Sequence, residues 1–522
     1  MNKYSFILLG SFFAFNAFSQ EIDPRSTGYY VEALANGVTT QTGGSARSVG
    51  MAGVQTSLGA DLGALSSNPA GLGVYRKSEY VGGLGLNFGS STSHYLGTQT
   101  SDLKPTIGVN NLGVAFCGLK DDLNESDWRG GTFAIGMNLL QSYNNSFSFD
   151  GKNANNSMIN SFIEQANGTS AFVYDKDYTD RNIQSIPSLA YNTYLISDDN
   201  TISSDFKYYK GYIPPDKIMQ QSGTVSTSGA TRSWSFGYGA NYKNQLYIGG
   251  SIGIIGLKRT VEKTYSEKLL NGGEWYLNNF TFTDKYQVKG TGFNLSLGII
   301  YKLNDVVRFG ASLKTPDWFS IKEEYNASIS AAYNNIPLYY SDSTLYNLTQ
   351  ESGNLTTQKF NYTYFSPMKI GFGTSIFMNK VGFISLEGEY INYTGMVFQK
   401  SGANYFAGDN QTIKNIYRDV VNLRTGIELR KDIFRFRGGL AYMPSPFVDG
   451  TDVRVKRIVS DANTMFSLGL GLKFTNSFVD FGLNRTNYTS HYSPYTLSNG
   501  SQPLTTVANG STTFVVTVGS YF

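Results

Sequence analysis

Charged residues recur at even spacing in three stretches of this chain. Glu387 and Glu389 lie in 381–399, Arg424 and Glu428 in 411–430, and Arg435 and Arg437 in 431–443. Even spacing puts side chains on one face of an extended strand. Arg308 and Lys314 share such a face farther upstream. Charges gathered on one buried face must pair with one another or meet water. Two readings follow. The charges form a network that holds another segment, through Asp61, Arg47, Arg76 or Lys77, or they pair strand to strand and only fill space. Catalytic chemistry has little to work with. The two histidines, His94 and His491, each stand beside a serine, Ser93 and Ser490. Neighbours on a strand point to opposite faces, so neither serine can serve its histidine. There is no nucleophile elbow, and Cys117 is the lone cysteine. So few soft ligands assemble no metal set, and one cysteine closes no internal disulfide. No catalytic, cofactor or metal site is expected, the chain is not read as an enzyme, and Cys117 reads as a small filler.

The elements that position these charges are strands. Met465 to Phe474 alternates strictly: Phe466, Leu468, Leu470, Leu472 and Phe474 are large and apolar, and the residues between them are small or polar. A helix would spread that pattern around its circumference. The same alternation runs through Phe293, Leu295, Leu297, Ile299 and Tyr301, and through Phe133, Ile135, Met137 and Leu139. The second face holds mostly Gly, Ser, Asn and Thr rather than charge. That suits the wet, crowded inside of a barrel better than the outside of a soluble sandwich.

Composition agrees. Charged residues make up 16% of the 522, below the ~25% of soluble domains. There are 37 Tyr, 35 Phe and 57 Gly, and net charge is only +3. Without a basic cluster, nucleic acid is not an expected partner. Lys3, the apolar stretch Ser5 to Phe18 and the triplet Ala17-Phe18-Ser19 read as a secretory signal cleaved after Ser19. Mean hydropathy is −0.24, and no later run of ~18 apolar residues exists to cross a membrane as a helix. An exported chain of this kind reads as a transmembrane β-barrel of the Gram-negative outer membrane.

Fourteen strands are expected, at roughly 78–92, 106–119, 131–149, 229–243, 245–260, 284–303, 305–323, 361–379, 381–399, 411–430, 431–443, 463–475, 477–491 and 509–522. Short connections alternate with long ones at 92–105, 150–228, 261–283, 324–360, 400–410, 444–462 and 492–508. Such barrels have short periplasmic turns and long outer loops, so both chain ends are placed in the periplasm. The long 150–228 connection has Met158, Ile159, Phe162, Ile163 and Ala166 at helical spacing, and 183–196 reads as a second helix or an extended piece. Both are taken as an outer cap. The last strand ends on Phe522, which resembles the signal read by the outer-membrane barrel assembly machinery.

Before the first strand, residues 20–77 read as a plug. Val49, Ala52, Gly53, Leu62 and Leu65 give short apolar stripes, and Asn68-Pro69 is a capping and turn pair. The segment Gly44-Ser45-Ala46-Arg47-Ser48-Val49-Gly50-Met51-Ala52-Gly53, followed by Asp61 and then Asn68-Pro69-Ala70, resembles the N-terminal hatch of the FadL/TodX family of outer-membrane transporters for hydrophobic compounds. Ala52 stands where that pattern often has Gly. The resemblance implies an all-β fold: a 14-stranded antiparallel transmembrane β-barrel with a helical plug in its lumen, comprising a leader 1–19, a hatch 20–77 and a barrel 78–522. It also implies passive uptake of a hydrophobic small molecule. Ligand would pass from the outer loops to a pocket, a hatch shift would follow, and release to outer-membrane lipid would occur beside a kinked third strand. Gly130, Gly131 and Gly136 are the candidates for that gate. The rival reading keeps the fold and changes the role, to a protein-docking subunit of an outer-membrane machine such as the type IX secretion system.

Overall fold

The computed structural model describes residues 28–37, 44–120, 126–199, 207–211, 218–270, 276–339, 345–400 and 404–522. The predicted leader, 1–19, lies outside them. Fourteen antiparallel strands close on themselves. They are β1 Glu79–Tyr95, β2 Thr98–Leu119, β3 Trp128–Ser142 continuing as Asn145–Asn153, β4 Ile218–Tyr242, β5 Leu246–Leu270 and β6 Leu277–Lys302. β7 is Val307–Lys314 continuing as Trp318–Tyr339, and β8 runs in three pieces, Leu345–Asn354, Gln358–Phe365 and Lys369–Met378. β9 Gly382–Ile391, β10 Val420–Lys431, β11 Phe434–Met443, β12 Asn463–Lys473, β13 Ser477–Tyr492 and β14 Thr505–Tyr521 complete the wall. β14 pairs back onto β1, from Glu79 opposite Tyr521 to His94 opposite Thr506, so the sheet has no free seam there.

The alternation read from sequence is the alternation of the wall. Leu84, Leu86 and Phe88 on β1, Ile252 and Ile254 on β5, Phe293 to Tyr301 on β6, Phe372 on β8, Leu423 on β10 and Phe466 and Leu468 on β12 all face outward and are exposed. Together they make an apolar belt around the outside, the surface of a membrane-spanning barrel. Among the described residues no helix is long and apolar enough to cross a membrane.

Three expected boundaries differ. The 92–105 connection is a tight turn at Leu96-Gly97, both at positive φ, because β1 and β2 simply continue above the belt. β4 to β7 likewise run through 218–228, most of 261–283 and 324–339, all expected as loop. Above the membrane the outward face is wet, so Lys258, Glu262 and Lys285 replace the apolar residues and the pattern loses its signature. The stretch 411–430 was expected to be one strand, yet α6 occupies Ala407–Ile416 and β10 begins at Val420. Ile413, Ile416 and Tyr417 follow helical spacing and pack inward.

Among the described residues the 150–228 connection carries three helices, α3 Met158–Ala166, α4 Ala171–Thr179 and α5 Ile186–Asn192. α4 lacks a periodic apolar face and was not legible. The base of the cap is held by Glu267 of β5, which is fully buried. Its carboxylate accepts from the Met158 amide (2.7 Å), the Tyr265 hydroxyl (2.5 Å), Gln221 Nε2 (3.1 Å) and the Ser157 hydroxyl at the start of α3. Glu267→Ala leaves those donors unpaired in a sealed site, a cost of about 1–3 kcal/mol. The expected result is faster proteolysis within 150–228 with the barrel itself intact, checked by limited digestion and gel mobility before and after boiling.

Candidate functional site

The hatch begins as short turns whose caps come from its own polar residues. Ser45 accepts from the Ser48 amide ahead of α2 (Ala46–Val49) and donates to Asp61 at 2.7 Å. Asp61 accepts the Gly63 amide (2.7 Å) and so starts the 3₁₀ turn Leu62–Leu65. Asn68 accepts the Ala70 amide (3.1 Å), with Pro69 at the first helical position of Pro69–Val74. The other side of the Asn68 amide donates to the carbonyls of Thr56 (2.6 Å), Ile299 (3.2 Å) and Ala311 (3.2 Å), stitching the hatch to β6 and β7.

Lumenal glycines make the room for it. A Cβ on Gly298 would stand 1.7 Å from Asn68 Oδ1, on Gly310 2.0 Å from the Thr56 carbonyl, and on Gly482 2.3 Å from the Ala46 carbonyl. Gly50 lies against Gly469, and the Met51 backbone against Gly439. The plug therefore sits on β6, β7 and β11 to β13 a few residues above the short turns. Gly53, at φ +81°, turns the chain at the end of the α2 segment. The outside of the same wall is concave. A groove of about 1060 Å³ on this wall runs past the outward Phe309, Phe372, Leu386, Leu423 and Phe466 and also touches Glu387 and Arg424.

The charges named from sequence divide into three groups. Glu387 Oε2 accepts the Gln55 and Thr56 amides of the hatch at 3.0 and 2.9 Å, while Arg424 bridges Glu387 (3.4 Å) and Glu389 (2.9 Å). Glu428 meets Arg437 (2.8 Å), Arg430 (2.9 Å) and Arg47 of the hatch (3.6 Å), and Arg437 continues to Asp480 of β13 at 2.6 Å. Arg47 also donates to the Gly59 and Ala60 carbonyls, and Arg308 donates to the Leu58 carbonyl at 2.7 Å. Arg435 stands apart at the rim, donating to the Asp432 and Phe434 carbonyls of its own turn. Arg76 and Lys77 are exposed, and Lys77 lies beside the Tyr521 ring. Asp61 is used within the hatch. Asp480 and the two hatch amides on Glu387 were not foreseen, since backbone donors carry no residue-type signal.

The two ends of the described chain lie at opposite ends of the barrel. Phe522 stacks on Tyr80 (ring centroids 4.4 Å apart), and its amide donates to the Ser78 carbonyl, at the short-turn end. Tyr29–Asn36 lies at the long-loop end. There the Tyr30 amide donates to Asp409 of α6, Tyr29 is ringed by Phe360, Tyr362, Phe398 and Phe406, and Glu32 pairs with Arg259 at 2.5 Å.

β3 leaves the wall. It pairs with β2 from Leu119–Gly130 up to Asn111–Asn138, and among the described residues the ladder with β2 stops there. The strand breaks at Tyr143-Asn144. Its upper piece pairs only with β4 and lies against the inner face of the β1–β2 hairpin, where the Ser148 amide and hydroxyl donate to Asp102 at 2.7 and 2.6 Å. Lys104 of β2 reaches across the gap to the Thr227 carbonyl of β4 at 2.8 Å. Gly130, at φ +109°, and Gly131 sit near the short-turn end of the paired part, and Gly136 faces Leu65 of the hatch. All three lie below the break. An Asn-Asn pair at 144–145 interrupting an alternating run was the available signal for it.

A cavity of about 340 Å³ lies above the plug and reaches this break. One wall carries Phe162 of α3, Val261 and Tyr265 of β5, Phe282 and Tyr286 of β6 and Tyr325 of β7, with the charged Arg259, Lys263 and Asp284 set among them. The other is mostly polar, with Asn87 of β1, Gln141, Ser142, Asn144 and Asn145 of β3, Asn463 of β12, Thr486 and Ser490 of β13 and Asn509 of β14, beside the rings of Tyr143, Phe147, Tyr488 and Tyr492. Glu32 and Ala35 close it from the hatch side.

A fourteen-stranded membrane barrel, plugged near its short-turn end and hollow above the plug, is the class these features define. The fold is shared with a solved FadL homologue of Pseudomonas aeruginosa, at 11% identity and a TM-score of 0.50, over 92% of this chain and 98% of that one. The toluene transporters TodX of Pseudomonas putida (13% identity, TM-score 0.49, 92% and 99% covered) and TbuX of Ralstonia pickettii (14%, 0.47, 92% and 99%) are similar as well. No family model matches the sequence, and no curated protein does.

Proposed function

We propose that the chain is an outer-membrane channel for diffusion-driven uptake of hydrophobic small molecules. The observation that carries this is the position of the cavity. It lies above the hatch and opens toward the β3 break, where among the described residues the ladder with β2 has stopped. An apolar solute gains about 25 cal/mol per Å² on leaving water for such a wall, and nothing by entering a water-filled pore. Ligand enters among the long loops, which face the outside of the cell, rests in the cavity, and leaves sideways past Tyr143-Asn144 into outer-membrane lipid. Residues 20–77 act as the hatch and 78–522 as the barrel, with Arg47, Asn68, Glu387 and Glu428 as the contacts that set its resting position. Phe522 closes the final strand as the feature recognised by the barrel assembly machinery. The fold shared with the solved FadL homologue supports the barrel on which this reading rests.

Gly108 borders the gap, its Cβ position 3.8 Å from Arg232 of β4. Gly108→Trp places an indole in the opening. Uptake of radiolabelled decane by cells whose own hydrophobic-compound channels are deleted is expected to fall about tenfold, the ratio that 1.4 kcal/mol of obstruction gives. Gly256→Trp, outward on β5 with open space around it, is expected to leave uptake unchanged. Equal uptake by wild type, the Gly108 variant and cells without the chain would refute the channel.

A further inference from the structure

Several polar atoms in the cavity lining have no partner in the protein. Asn463, Thr486 and Ser493 are each more than nine-tenths buried, and Asn463 Oδ1, Thr486 Oγ1 and Ser493 Oγ accept and donate nothing among the described residues. Gln141 Oε1 and Asn145 Oδ1 at the β3 break and Arg457 Nε, on half-buried side chains, also have no partner among the described residues. The orientation of Asn145 is not arbitrary. Asn509 donates its amide to the Val507 carbonyl and the Ser490 hydroxyl, so its oxygen accepts from Asn145 Nδ2 at 2.7 Å, and the Asn145 oxygen is the atom left over.

These residues cluster on the polar wall, from β12 and β13 across to the β3 break. Across the cavity, Phe162, Phe282, Tyr286 and Tyr325 offer rings. The charges on that side pair with carboxylates, Lys263 with Asp284 at 2.9 Å and Arg259 with Glu32, while Arg259 Nε has no partner among the described residues. Buried polar groups that stay unpaired are costly. A bare hydrocarbon seated here would cover them and offer nothing back, and a site built for hydrogen bonds rejects the analogue that lacks them.

We infer that the ligand is two-faced: hydrocarbon or ring along one side, and hydroxyl or amide groups along the other. Carboxamide oxygens need a donor and Arg457 Nε needs an acceptor, and a hydroxyl is both. A simple carboxylate meets Arg457 but brings no donor for the carboxamide oxygens. This names the ligand class for the uptake reading above and rests on it.

The test uses the full-length protein in amphipol with three probes of one chain length: 1-decanoylglycerol, methyl decanoate and decanoate. Native mass spectrometry reads the bound fraction at equal free concentration. The expected result is 1-decanoylglycerol binding at least about tenfold more tightly than either of the others. The preference is expected to disappear in Asn463→Leu/Thr486→Val, with methyl decanoate unaffected and gel mobility before boiling unchanged. Methyl decanoate or decanoate binding as well as 1-decanoylglycerol overturns the inference, as does a preference that survives in the variant. Decane uptake by cells is read in parallel. If it persists while the diol has no advantage, the channel stands and only the ligand class fails. If no probe binds and decane is not taken up, both fail.

Discussion

Arg437→Ser is expected to destabilise the barrel by about 3 kcal/mol, near the lower end of the range for breaking a buried ion pair. Arg437 is 8% exposed and stands between Glu428 and Asp480, both buried. Removing it strips Asp480 of the guanidinium 2.6 Å away. Glu428 keeps Arg430 and the hatch's Arg47, which is why the loss falls at the lower end. Urea unfolding in lipid vesicles, followed by tryptophan fluorescence, measures it. Arg435→Ser is the matched comparison. It removes only contacts to two carbonyls of its own exposed turn and is expected to change stability by less than about 0.5 kcal/mol. Equal effects of the two substitutions would show that the Glu428 cluster has no special standing.

The second large effect concerns the seat of the hatch. Gly310→Val has no room, because its Cβ would lie 2.0 Å from the Thr56 carbonyl, a backbone atom that cannot swing away. The wall is held by continuous ladders to β6 and β8, so the hatch is the part that must move. The Thr56 amide then loses Glu387, and Asn68 loses its hold on Ile299 and Ala311. The barrel is expected to fold, the hatch to become cleavable by trypsin at Arg47, and ion conductance in planar bilayers to rise about tenfold or more above the wild-type level, as it does when a constriction of a few ångströms is removed. A variant with unchanged conductance and a protected Arg47 would mean that the hatch accommodates the added methyls in place.

Much of this was written in residue types. Inside the membrane a strand has two environments and nothing intermediate, so lipid demands Leu, Ile and Phe at every second position and the lumen takes the rest. That is why Phe293 to Tyr301 and Phe466 to Phe474 mark their strands unaided. The even-spaced charges at 387, 389, 424, 428 and 437 share the lumen for the same reason, and Ser45, Asp61 and Asn68 declare their turns because a cap is a local interaction between neighbours. Above the belt both faces are wet, the period fades, and the upper halves of β4 to β7 were taken for loops. α6 keeps helical spacing at Ile413, Ile416 and Tyr417, but the contact that seats its start, Asp409 with the Tyr30 amide, comes from a residue distant in sequence.

The site depended still more on distance. Which carboxylate meets which part of the hatch is decided by the register of strands β9 to β13 against a segment more than three hundred residues upstream. Glu387 accepts backbone amides there, and every residue but proline has one. The break in β3 comes from losing a neighbour, β2, while keeping another, β4. The cavity is the space left above a plug whose height is set by where glycine faces the lumen on β6, β7, β11, β12 and β13. Local patterning thus determined the class of element and the face of each side chain, because those answer to solvent or lipid alone. Pairing, plug depth, the opening in the wall and the two-sided cavity were decided only when the barrel closed, because each depends on groups brought together from different strands.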